Sequence, residues 1–154
     1  MRILIFWYDY VEIISMRKHF FIIVMPLLFL SFSTLFGQIT MTNEGQLLIK
    51  DNQVVRVNGH FVNKSTAFFN RGNFSLTGNF WNEAKVGNSG YGILRFVGGQ
   101  EQTFFVYDSI DVFDLEIDNP AGLTMAGNYS VRIFNEMNFL DGIVYTNANN
   151  LLAF

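Results

Sequence analysis

Apolar and polar residues alternate in short runs along most of the chain. Examples are Val55-Arg56-Val57, Phe74-Ser75-Leu76, Leu94-Arg95-Phe96, Leu115-Glu116-Ile117 and Val131-Arg132-Ile133. A period of two bounded by Gly and Asn reads as half-buried β-strand. Gly and Asn recur too often for a helix to propagate, and long apolar stripes at helical spacing are absent. The pattern predicts an all-β domain.

The runs also repeat. VRVNGHFVN (55–63) aligns with FSLTGNFWN (74–82) at an offset of 19, placing Gly59 on Gly78, Phe61 on Phe80 and Asn63 on Asn82. Leu94-Arg95-Phe96-Val97-Gly98, Leu115-Glu116-Ile117-Asp118-Asn119 and Met137-Asn138-Phe139-Leu140-Asp141 follow at offsets of 20, 21 and 22. The turn column reads Gly59, Gly78, Gly98, Asn119, Asp141, residue types that tolerate left-handed backbone at a corner. A repeat of about 20 residues predicts a β-solenoid of right-handed parallel β-helix type, because one rung cannot bury its inward side chains alone. Val57, Leu76, Phe96 and Ile117 are then one inward ladder, and Asn63 over Asn82 is an amide ladder. About six rungs fit, with 38–46 polar enough for an N-terminal cap. The alternative is an antiparallel β-sandwich, which also has many short strands.

The N-terminal segment has a different composition. Arg17-Lys18-His19 precedes the uncharged run Phe20 to Phe36, and Gly37-Gln38 closes it. A basic n-region, an apolar h-region and a small boundary residue make a secretory signal over 16–37, cleaved near Gly37. The competing reading is a retained anchor, for which 17 residues interrupted by Pro26 is short. Residues 1–15 precede that pattern and read as a misassigned upstream start, leaving 38–154 as the β-repeat domain.

Composition narrows the chemistry. The 154 residues include 18 Phe and no Cys, which removes disulfide scaffolds and thiolate chemistry. Residues 38–154 carry seven basic against eleven acidic residues, a net charge of −4, which argues against a nucleic-acid partner. His60 is the one histidine of that segment, and acid–base work needs a partner within reach. The acidic stretch 108–119 gives the weak metal candidates Asp114, Glu116 and Asp118. They share one strand face about 7 Å apart, whereas calcium needs six to eight converging oxygens. The main reading is therefore a solvated outer face, with no cofactor, and calcium between rungs is the alternative. The same acids support a rival enzyme reading, a polysaccharide-lyase-type fragment in which Arg95 or Arg132 serves as the base. Trp81, Tyr91, Phe104, Phe105 and Tyr107 form a sugar-stacking platform if exposed, and core ladders otherwise.

Residues 92–102 (GILRFVGGQEQ), 113–123 (FDLEIDNPAGL) and 137–146 (MNFLDGIVYT) together resemble a known group. They are similar to the repeats of large secreted surface proteins of Bacteroidota, many exported by type IX secretion. The resemblance spans roughly 90–146 and includes the Gly-Gln signal end. It implies a secreted or cell-surface, adhesin-like, non-catalytic passenger with extracellular glycans or surface proteins as partners. No membrane span remains after signal cleavage in this reading. It also implies that 38–154 is an N-terminal piece truncated at its C-terminus.

Overall fold

Each repeat folds as one rung of three short sides, and successive rungs stack in parallel. The structure, a computed structural model, describes residues 38–154; the readings of 1–15 and of the signal at 16–37 lie outside the described residues. The first rung holds β1 (Ile39–Asn43), β2 (Leu47–Ile49) and β3 (Val54–Val57). The second holds β4 (Gly59–Asn63), β5 (Phe68–Asn70) and β6 (Asn73–Leu76), and the third β7 (Phe80–Asn82) and β8 (Ile93–Val97). β9 (Gln102–Val106) and β10 (Ile110–Asp118) form the fourth, and β11 (Leu123–Gly127) and β12 (Val131–Asp141) the fifth. β13 (Val144–Tyr145) and β14 (Leu152–Ala153) continue the winding. The architecture is a β-solenoid of about five turns.

The first side is a sheet in the order β1-β4-β7-β9-β11-β13. The third side runs β3-β6-β8-β10-β12. The second side starts with β2 on β5 and continues through the bridge between Val86 and Ile110. β10 and β12 are long because each turns the corner between the second and third sides. Ile110 to Val112 pair with Val131 to Ile133, the register breaks before Asp114, and Asp114 to Asp118 then pair with β8. All ladders between these strands are parallel, so the sandwich alternative is excluded.

The repeat register agrees with the sequence. Val55, Phe74, Leu94, Leu115 and Met137 lie over one another, as do Val57, Leu76, Phe96, Ile117 and Phe139. On the first side Phe80 meets Phe104 at an offset of 24, because the third rung accommodates a longer loop after β7. Two expectations need correction. Residues 39–43 are a strand paired with β4, so the proposed cap is the first rung itself. In the turn column only Gly59 has positive φ (151°). The other corners keep ordinary backbone, and the corners bond to the rung beside them, as Gly78 N–H does to Gly59 O at 2.8 Å. Gly78 is needed for that approach: a Cβ there would lie 2.5 Å from the Gly59 carbonyl carbon.

Inward positions of the three sides fill one continuous core. Phe61, Phe68, Phe74, Phe80, Phe96 and Phe104 are fully buried. Phe61 lies 4.8 Å from Phe74 and 5.0 Å from Phe80, edge to face, and Phe80 stacks on Phe104 at 4.8 Å. Each such pair contributes about 0.5–1.5 kcal/mol beyond its area burial. Beyond β9 the core becomes aliphatic, with Ile110, Val112, Leu115, Ile117, Leu123, Val131 and Ile133 buried.

Candidate functional site

The sugar-platform candidates divide by strand parity. Phe104 points inward and is wholly buried. Trp81 and Phe105, one residue beyond Phe80 and Phe104, point outward from the first side and are half-buried. Their rings are parallel to within 3° with centroids 5.3 Å apart. Tyr107, 44% exposed, lies parallel to Phe105 at 6.1 Å. The His60 ring meets the edge of Trp81 at 5.0 Å. The result is a band of rings on an outer sheet face. Tyr91 lies elsewhere, at the corner between second and third sides, where the Arg71 guanidinium covers its ring at 5.5 Å. A groove of about 330 Å³ opens there, lined by Gln53, Arg71, Asn73, Tyr91 and Asp114.

A polar row runs beside the aromatic band and was not apparent from the sequence. His60, Asn79, Thr103 and Thr124 occupy equivalent outward positions of successive rungs. Asn79 N–H donates to His60 Nδ1 at 2.9 Å, which leaves His60 Nε2 as the outward nitrogen. Asn79 Oδ1 accepts from Thr103 N–H at 2.9 Å. These bonds orient His60, Asn79 and Thr103, and Thr124 Oγ1 donates to Glu101 Oε1 at 2.8 Å. A signal existed in the doublets Phe80-Trp81 and Phe104-Phe105: two adjacent aromatics on a strand must occupy opposite faces.

Asp114, Glu116 and Asp118 point away from the core on the third side, but the face is not uniformly solvated: Asp114 and Asp118 are half-buried and Glu116 is buried. Glu116 forms an ion pair with Arg95, its neighbour on β8. Asp114 accepts from Asn135 Nδ2 at 2.7 Å. Arg132 grips Asp111 through Nε at 3.0 Å and a second nitrogen at 2.5 Å. The hydrogen bond to Asp111, then its charge, raises the Arg132 pKa above its ordinary value. Both arginines weighed as a lyase base are thus engaged with carboxylates of an adjacent rung. Among the described residues no three His, Asp or Glu side chains converge as metal ligands, so Asp114, Glu116 and Asp118 are not brought together around a cation.

The amide ladder is present. Asn43 Nδ2 donates to Asn63 Oδ1 and Asn63 Nδ2 to Asn82 Oδ1, both at 2.9 Å and both buried. Asn82 ends the chain by donating to Ala84 O and Asp108 O. These side chains hold rungs in register and are inaccessible to a ligand. The fold and face define a β-solenoid with a half-exposed aromatic band. Compared with protein-family models, curated proteins and solved structures, the chain matches none.

Proposed function

We propose that the chain is a secreted or cell-surface, structural or adhesin-like β-repeat protein without catalytic activity. One observation carries this reading: the best-placed ionisable side chains are engaged in joining rungs. Arg95 with Glu116 and Arg132 with Asp111 are pairs between rungs. Catalysis by general acid and base needs such groups free to meet a substrate. The solenoid offers instead a long regular surface, which suits contact with extended partners. The export part rests on the sequence pattern at 16–37. Its expected outcome is a secreted chain whose first residue lies near Gln38; an intact 1–37 segment in the membrane fraction contradicts it.

The test of the functional class is a glycan-binding screen run alongside a polysaccharide-depolymerisation assay, with and without calcium. Binding without cleavage is the expected result. Calcium-dependent cleavage of an acidic polysaccharide would establish the lyase-type reading instead.

A further inference from the structure

We infer that the outer surface of the first side is a binding site for an uncharged polysaccharide chain, held on the Trp81–Phe105–Tyr107 band and aligned by His60, Asn79 and Thr103. This deepens the adhesin-like reading and rests on it. Three properties of the face select that ligand.

The first is ring geometry. The Trp81 and Phe105 rings are parallel with centroids 5.3 Å apart, and both are only half-buried, so they leave apolar ring surface at the outer face. Pyranose rings carry a face of C–H groups that packs on such surfaces, as apolar edges do on aromatic rings generally.

The second property is the narrowness of the band. It is flanked by the row His60, Asn79, Thr103, and among the described residues His60 Nε2, the Asn79 Nδ2 amide and Thr103 Oγ1 have no hydrogen-bond partner. An apolar strip at most two outward positions wide beside unpartnered hydroxyl and amide groups is unlike the dry core of a protein–protein contact. It matches a ligand that carries C–H faces and hydroxyls on the same short repeat. Rungs recur at roughly 4.8 Å, close to the length of one pyranose, so a polymer lying along the solenoid axis meets Trp81 and then Phe105 on successive rungs, with a polar side chain beside each.

The third property is charge. The two central outward rows contain Thr, Asn, Val, Trp, Phe, Ala and Tyr with His60, and no carboxylate, lysine or arginine. The nearby cation Lys64 is paired with Glu44 at 3.2 Å. Among the described residues these rows carry no Lys or Arg, which on a chain of negative net charge selects against polyanions.

The test is affinity electrophoresis of the full chain in gels containing soluble glucan, xylan, mannan or, as the charged comparison, polygalacturonate. At least one neutral polysaccharide should retard the protein and polygalacturonate should not. Trp81→Ala and Phe105→Ala should each weaken retardation at least about fivefold. Thr103→Val, which keeps the rings and the backbone bond, should weaken it by a smaller factor of roughly two to five. Tyr91→Ala, at the distant corner, should leave it unchanged. Circular dichroism identifies any variant that has lost the fold, and Thr103→Val then carries the test. Retardation by no neutral polysaccharide, or by polygalacturonate alone, overturns the ligand assignment. Equal retardation of Trp81→Ala, Phe105→Ala and Thr103→Val relates binding to another face and overturns the site, while leaving the adhesin-like reading standing. New reducing ends in the gel would instead overturn the non-catalytic reading itself.

Discussion

The two halves of the solenoid hold their rungs together by different means. Up to β7 the link is identity: Asn over Asn over Asn in a buried amide chain, and Phe against Phe in the core. From β8 onward the link is complementarity. Arg95 meets Glu116, Asp111 meets Arg132, and Gln102 accepts from Asn119 at 2.9 Å while donating to Leu76 O and Gly78 O. At the position of Asn82 the next rungs carry Val106 and Gly127, so the amide chain cannot continue. An amide that both donates and accepts needs copies of itself above and below. An ion pair needs an unlike partner. The first arrangement repeats residue types and the second forbids it.

The largest expected effect lies in the identity-linked half. Phe80 touches Phe61, Phe68, Phe74 and Phe104. Phe80→Ala should destabilise the protein by about 3–5 kcal/mol, read from urea unfolding. The aliphatic half has a shallower counterpart in Ile117→Val, at about 0.5–1.5 kcal/mol. Similar losses at the two sites would erase the distinction between the cores.

Asn63→Ala comes next. It strands the Asn43 amide and the Asn82 carbonyl oxygen in a buried corner, and each orphaned group costs about 1–3 kcal/mol. Changing Asn43, Asn63 and Asn82 together to Val should recover part of that loss, because no polar group is then left unpaired. If the single substitution is neutral in thermal unfolding, the amide chain does not link the rungs.

The smallest effect is expected at Lys64, whose partner Glu44 is exposed at the rim. Lys64→Ala should change stability by no more than about 0.5 kcal/mol, and less in high salt. A larger loss would mean that charge also matters in the amide-linked half.

This contrast explains what was legible in the sequence. VRVNGHFVN over FSLTGNFWN revealed the period because stacked Asn and Phe columns require identity. The Leu94, Leu115 and Met137 register was recoverable from apolar alternation, since inward positions share polarity even where residues differ. Arg95 over Glu116 gave no such signal, and neither did Arg132 over Asp111. Complementary pairs look unrelated until the rungs are stacked, so Arg95 and Arg132 stayed open as basic residues for the rival lyase-type reading. The corner backbone was misjudged for a related reason. Gly78 is required by the approach of the neighbouring rung, which a single-rung view of turn chemistry does not contain. The outer aromatic band was half visible: the rings were identified, but separating Phe104 from Phe105 required the strand parity to be fixed. The polar row of His60, Asn79 and Thr103 combines unlike residues and becomes a row only in three dimensions.

On the third side the charged side chains of Arg95 and Glu116 join adjacent rungs. A charge swap across Arg95 and Glu116 tests it most directly. Arg95→Glu places two carboxylates together, and Glu116→Arg two guanidinium groups. Each single variant should lose about 1–3 kcal/mol in urea unfolding, because Glu116 is buried beside its partner. The double variant should recover more than half of the summed loss. Additive losses, or single variants within about 0.5 kcal/mol of the parent, would contradict the account and leave both side chains free for another role.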